Sequence, residues 1–243
     1  FQEASLQGLP LRLLLDRAGL VGGDGAVHHG FCDVGLLRML PDSCLMAAMD
    51  EPSLRAALEF MAGHDAGISA LRYPRDKVSE LFASDCPAFE FGKARTLIRH
   101  DRPDLAVLGY GVMAIEAATA ARELDGEYRI DVYDARFAKP VDHALLADLL
   151  GRGIPVITVE DHSIVGGFGA AVLEACADHG LDARLVSRLA LPDGWIHQGS
   201  RGEQLAEAGL DAASIARSIR DRLDQVPVVD TAAAAPRPEA VRR

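Results

Sequence analysis

Apolar residues fall in short runs separated by glycine-rich or charged stretches, and the runs alternate between strand-like and helix-like spacing. Residues 11–15 (LRLLL) form a strand candidate entered after Pro10, and they lead into a glycine-rich loop at 19–30. Residues 44–49 are a second apolar run. Asp50 then offers a helix N-cap with Pro52 in the first turn, and Leu54, Leu58 and Met61 recur at helical spacing. Gly63 and Gly67 bracket the turn into a third strand at 68–73. Strand, helix, strand in this order predicts parallel pairing through right-handed crossovers.

The pattern restarts beyond a charged, irregular stretch from Arg75 to Pro103, which carries one short strand candidate at 95–98. Strands are predicted at 105–108, 129–133, 155–159 and 183–189, and helices at 114–124, 144–150 and 166–177. The nearly continuous apolar run at 155–159 fits a strand covered on both faces. Asp211 caps a last helix with Ile215, Ile219 and Leu223 on one face. The expected fold class is α/β, with two domains that each hold a mainly parallel sheet flanked by helices. The expected boundaries are a first domain at 1–84, a linker at 85–103, a second domain at 104–225 and a disordered tail at 226–243, where proline and alanine take over.

Composition narrows the function classes. The formal net charge of -11 repels phosphate backbones, so no nucleic-acid partner is expected. No apolar run reaches membrane-spanning length, so no membrane partner is expected either. Cys32, Cys44, Cys86 and Cys176 lack zinc-knuckle or disulfide-framework spacing and read as buried reduced thiols of a cytoplasmic protein. The first residue, Phe1, runs almost directly into a strand-like segment, and the chain is expected to start inside a domain.

The chemistry concentrates where the first strand ends. Parallel α/β sheets bind ligands at the C-terminal ends of their strands. Five glycines in the twelve positions 19–30 permit close backbone approaches there. Arg17, Asp24 and His28 belong to this loop, and Arg72 stands at the end of another strand. Two guanidiniums at strand ends grip a phosphate well. A histidine exchanges protons near neutral pH, and an aspartate orients a hydroxyl. A surface salt bridge is the competing reading for Arg17 and Arg72, and a His–Asp loop pin for His28 with Asp24. His29 reads as a bystander, and Arg75 as a phosphate ligand or a linker salt bridge. Gly166-Gly167-Phe168-Gly169 reads as close helix–strand packing rather than an anion site, and Glu160, Asp161 and His162 as interface hydrogen-bonding groups.

The stretch from Asp16 to Gly30, DRAGLVGGDGAVHHG, resembles the D-R-A-G-x-x-G-x-D-G-x-x-H-x-G loop of the 1-deoxy-D-xylulose-5-phosphate synthase family. Asp33 to Pro41, Leu71-Arg72-Tyr73-Pro74-Arg75, Val159-Glu160-Asp161, Leu191-Pro192-Asp193 and Ile196-His197-Gln198-Gly199 agree in order. The resemblance implies a transketolase-like fold: a partial thiamine pyrimidine-binding domain followed by a transketolase C-terminal domain. It implies condensation of pyruvate with glyceraldehyde 3-phosphate, with loss of carbon dioxide, for isoprenoid precursor synthesis. In that scheme Arg17 and Arg72 bind the aldehyde's phosphate, His28 transfers protons and Asp24 positions the substrate. It also implies thiamine diphosphate and Mg2+, both held mainly by residues outside this chain, and a homodimer.

Gly23-Asp24-Gly25 mimics the metal-binding G-D-G of thiamine-diphosphate enzymes, but the Asn that follows it there is missing, since this chain has no Asn. Asp24 is therefore not expected to ligate metal. The family's Thr-Pro-Ser-type turn is replaced by Ala48-Met49-Asp50, and its Gly after R-Y-P-R is Asp76. The activating Glu and the diphosphate domain lie upstream in the family. The chain is thus expected to be inactive alone, either as a fragment or as the partner of a separate N-terminal chain. The alternatives are a beta-type chain of a 2-oxo acid dehydrogenase and a non-catalytic assembly module with the same fold.

Overall fold

The structure is a computed structural model describing residues 2–82 and 86–225. The expected disordered tail at 226–243 lies outside the described residues. The first half holds α1 (Gln2–Leu6), β1 (Arg12–Leu15), α2 (Asp33–Arg38), β2 (Cys44–Ala47), α3 (Glu51–Gly63) and β3 (Ser69–Arg72). β1, β3 and β2 are parallel neighbours, as the strand–helix–strand pattern predicts. Asp50 caps α3: its carboxylate accepts from Ser53 N–H, and the Ser53 hydroxyl accepts from Asp50 N–H.

The second half holds β4 (Arg95–Ile98), β5 (Leu105–Tyr110), α4 (Met113–Glu123), β6 (Ile130–Asp134), β7 (Phe137–Lys139), α5 (His143–Gly151), β8 (Val156–Ser163), α6 (Phe168–His179), β9 (Val186–Leu191), α7 (Arg201–Glu207) and α8 (Ala212–Gln225). Its sheet has the order β4-β6-β5-β8-β9, parallel except for β4. The alanines of α4 let it sit close to the sheet and to Ile215 and Ile219 of α8, all buried. The predicted strand at 183–189 begins instead with a tight turn at Ala183–Leu185, because Asp182 accepts from Arg184 N–H, and β9 then runs to Leu191.

Two features tie the halves together. β7 leaves the second half and pairs antiparallel with β2, so the first sheet reads β1-β3-β2-β7. One apolar core then runs through both, packing Val34, Leu45 and Ala70 with Leu108, Leu146 and Phe168. β4, within residues 85–103, is an edge strand of the second sheet. The C-terminal ends of β1, β3 and β8 consequently meet across a shared seam, where the glycine-rich loop sits.

Two of the four cysteines, Cys44 and Cys176, are buried thiols; Cys86 is half-buried and Cys32 exposed, which corrects the expectation that all are buried. No described helix is long and apolar enough to cross a membrane.

Candidate active-site loop at the seam between the two halves

The loop is closed on itself by backbone contacts. Gly19 N–H donates to Gly30 O at 2.8 Å and Gly30 N–H to Gly19 O at 2.9 Å. A Cβ on Gly30 would stand 2.4 Å from Arg17 O, so only glycine allows the strap. Arg17 itself turns the chain with φ 56°, a left-handed conformation uncommon outside glycine.

The second half holds this loop in place. Leu20 N–H donates to Asp161 Oδ1 at 3.0 Å, and Gly22 N–H to Gln204 Oε1 at 2.9 Å. Arg201 spans the seam, donating to Leu20 O, Asp76 and Asp161. His29 Nδ1 accepts from Val21 N–H, which leaves Nε2–H to donate to Ile196 O at 3.1 Å. His29 is therefore a pin of the loop, not the bystander expected. His28, its neighbour, is exposed. Trp195 packs edge-on against Phe31 and is otherwise exposed, while His197 offers its backbone oxygen to Gln204.

The predicted site residues separate into two groups. Arg17 and Asp24 meet: Arg17 Nε lies 3.5 Å from Asp24 Oδ2. Arg75 Nε lies 3.4 Å from the same oxygen, and both arginines are about half exposed. Arg72 is not with them. It is only 4% exposed, with its guanidinium donating to Asp33, Gly30 O and Asp161 O. This corrects the pairing of Arg17 with Arg72 as two open phosphate ligands. The physical reason is that Arg72 is the last residue of β3, a strand buried at every position, whereas Arg75 lies beyond the turn at Pro74. The signal was present in the sequence: Arg72 interrupts an apolar strand run, and Arg75 follows a proline.

Behind the loop lies a buried polar cluster. Burial and the Arg72 charge push His162 down to about 4, so it is neutral at pH 7. Its Nδ1 meets Ser163 O at 2.9 Å. Burial raises Glu160 to about 7, even though its carboxylate accepts from Phe168 N–H at 2.5 Å and Gly169 N–H at 2.7 Å. Those two N–H groups open α6, so the protein's own carboxylate fills the anion site there, consistent with the packing reading. Burial likewise raises Asp161, against the pull of Arg201 and Arg72. A cleft of about 270 Å³ opens beside the loop at the ends of β2, β3 and β5, with Asp76 and Arg201 in its wall.

Residues 92–215, half of the chain, match the family model described as transketolase, C-terminal domain. The chain belongs to the transketolase C-terminal domain family. Residues 1–80 match the model of the transketolase pyrimidine binding domain. Over 229 residues the chain is 41% identical to a 1-deoxy-D-xylulose-5-phosphate synthase of Rhodopirellula baltica, covering 93% of this chain and 35% of that protein. A 1-deoxy-D-xylulose-5-phosphate synthase 1 of Geobacter sulfurreducens is 39% identical over 218 residues, covering 89% and 34%. The chain thus spans about a third of the length of these relatives. Among solved structures it is similar to a split-gene transketolase described as an inactive beta4 tetramer, with TM-score 0.75, 28% identity, and coverage of 88% of this chain and 67% of that one. Transketolase from Leishmania mexicana shares the fold at TM-score 0.70 and 17% identity, over 93% and 32% of the two chains.

Proposed function

We propose that this chain forms the carboxy-terminal part of a 1-deoxy-D-xylulose-5-phosphate synthase, in which it receives glyceraldehyde 3-phosphate for condensation with pyruvate. The observation that carries this reading is the convergence of Arg17 and Arg75 on one oxygen of Asp24, at the open side of a loop with the synthase family's sequence. Two half-exposed guanidiniums around a single point form a cradle for a phosphate dianion. In the free chain Asp24 occupies that point. When the phosphate takes over the guanidiniums, Asp24 is released to accept a hydrogen bond from a substrate hydroxyl. His28, exposed on the same loop, moves protons to and from the substrate oxygens. Arg72 supports the loop from below through Gly30 O and Asp33.

Thiamine diphosphate with Mg2+ would supply the carbanion chemistry of this reaction. The described residues do not offer a site for its Mg2+. No three His, Cys, Asp or Glu side chains among them are placed to hold a metal ion, and the Asp24 oxygen is engaged by two cations. On this reading the cofactor is held mainly by the complementary part, and the chain is inactive alone. The solved split-gene relative, described as inactive, supports this reading. The similarity to proteins named as this synthase favours it over a dehydrogenase beta chain.

The test is reconstitution. The purified chain is assayed with both substrates, thiamine diphosphate and Mg2+, with and without the amino-terminal polypeptide of the Rhodopirellula baltica relative. Product is expected only from the pair. Turnover by the chain alone would overturn the reading, as would a functional pair indifferent to both Arg17→Ala and Arg75→Ala.

A further inference from the structure

Arg201, the first residue of α7, reaches three separate segments of the chain with one guanidinium. Its Nε donates to Leu20 O at 3.1 Å, one terminal nitrogen to Asp76 Oδ2 at 2.9 Å and the other to Asp161 Oδ2 at 2.7 Å. Each nitrogen of the fork thus has its own acceptor. A planar fork fixes three acceptors relative to one another, which an ammonium on a flexible stem does not. Asp161 closes the ring, since its Oδ1 accepts from Leu20 N–H. The Arg201 side chain is 12% exposed and that of Asp161 3%, so this ring lies largely out of bulk water.

α7 is itself docked on the loop. Ser200 and Glu203 form the capping box that fixes its first turn. The buried Gln204 accepts from Gly22 N–H and donates to Gly22 O, and Gln198 donates to Gly23 O. A Cβ on Gly22 would stand 3.2 Å from Arg201 N, so the loop and the helix start are in close contact.

The segments that Arg201 joins are the two walls of the phosphate cradle. Leu20 precedes Asp24 in the loop, and Asp76 directly follows Arg75. Arg75 is half exposed and meets Asp24 in a single 3.4 Å approach, so its place depends on how its backbone is held. Asp76 supplies that hold one residue on. Position 76 is Gly in the family pattern, so this arm of the contact belongs to this chain rather than to the pattern.

We propose that Arg201, acting through Asp76 and Leu20, is a positioning residue that sets the spacing of Arg75 and Asp24 and so the fit of the cradle to a phosphate. The proposal deepens the reading of Arg17 and Arg75 as phosphate ligands and rests on it. Its sign separates it from plain electrostatics. Asp76 is a carboxylate beside an anion site, so as a charge alone its removal strengthens phosphate binding. As an arm of the clamp, its removal weakens binding, because Arg75 is no longer held.

The experiment uses the full chain with Asp76→Ala, with Arg201→Lys, and with Asp76→Ala added to Arg75→Ala. KM values for glyceraldehyde 3-phosphate and pyruvate are measured after reconstitution with the amino-terminal polypeptide of the Rhodopirellula baltica relative. Binding of glyceraldehyde 3-phosphate to each chain alone is measured by titration calorimetry. Asp76→Ala and Arg201→Lys should each raise the KM for glyceraldehyde 3-phosphate roughly threefold or more and leave the KM for pyruvate and kcat unchanged, a split that simple loss of folded chain does not give. In the Arg75→Ala background, Asp76→Ala should add nothing, since residues that act through one contact are not additive. Where Arg201→Lys fails to fold, Asp76→Ala, at a half-exposed position, carries the test. A KM for glyceraldehyde 3-phosphate that Asp76→Ala leaves unchanged or lowers overturns the clamp and leaves the synthase reading standing. A full further loss in the Arg75→Ala background overturns it too. If no pair turns over, calorimetry decides: weaker binding to the Asp76→Ala chain upholds the clamp while the synthase reading falls, and binding that is unchanged, or absent from every chain, overturns the clamp.

Discussion

Arg17 and Arg75 reach the same carboxylate oxygen of Asp24, at 3.5 and 3.4 Å, from opposite ends of the first half's chain. The pairs are half exposed, so they contribute little to stability, within about 1 kcal/mol. Their value is positional. In the reconstituted enzyme, Arg75→Ala and Arg17→Ala should each raise the KM for glyceraldehyde 3-phosphate about tenfold or more, as loss of a charged hydrogen bond worth about 1.5–3 kcal/mol requires. Steady-state kinetics and urea unfolding of each variant check both halves of this statement.

Arg72 should behave in the opposite way. Its removal takes a donor from the Asp33 carboxylate and from Asp161 O at the seam, while Gly30 O keeps the N–H of Gly19. Arg72→Ala should cost about 3–5 kcal/mol in urea unfolding. An unchanged unfolding midpoint would show that the cluster contributes nothing.

Adjacent histidines give the sharpest contrast. His29→Ala breaks the link from Val21 to Ile196 and should cost about 1–3 kcal/mol. His28→Ala should leave stability within about 0.5 kcal/mol and lower the turnover of the reconstituted enzyme by about 10²–10⁴. Equal effects of the two substitutions would contradict the division of roles.

Gly19 has φ +69°, and a Cβ there would stand 2.1 Å from Asp161 Cγ. Gly19→Ala should cost at least about 2 kcal/mol, since it meets strain and a packed carboxylate at once. Thermal unfolding of the variant measures the loss.

Burial, reinforced by nearby Asp50, pushes Asp134 up to about 7 from 3.8. In that interval the folded chain keeps a proton that the unfolded chain has released. The stability from this group is full at low pH and is lost as pH rises towards 7. Asp134→Asn removes the group, so the stability of the unaltered chain relative to the variant should fall by up to about 1.4 kcal/mol per pH unit between about pH 4 and 7. Paired urea titrations across this range test the sign.

Local patterns exposed much of the fold. The strands with dense apolar runs and the helices with caps, such as α3 behind Asp50 and Ser53, stood out because their own residues satisfy the rules of the element. The short elements did not. β7 has three residues, Phe137–Lys139, and exists because β2 offers an edge to pair with. α2 has six residues and no side-chain cap, and α7 has seven, opened by the capping box of Ser200 and Glu203.

The same division runs through the site. The chain order of residues alone determined the glycine-rich loop, its charged members and its place after a parallel strand, because backbone permissiveness and charge are properties of each residue. Which arginine is open and which is buried, and which histidine pins the loop, were decided only in three dimensions. Those outcomes depend on what Asp161, Ile196 and Arg201, each more than a hundred residues from the loop in sequence, bring to the seam, and no local pattern encodes a neighbour that the fold alone supplies.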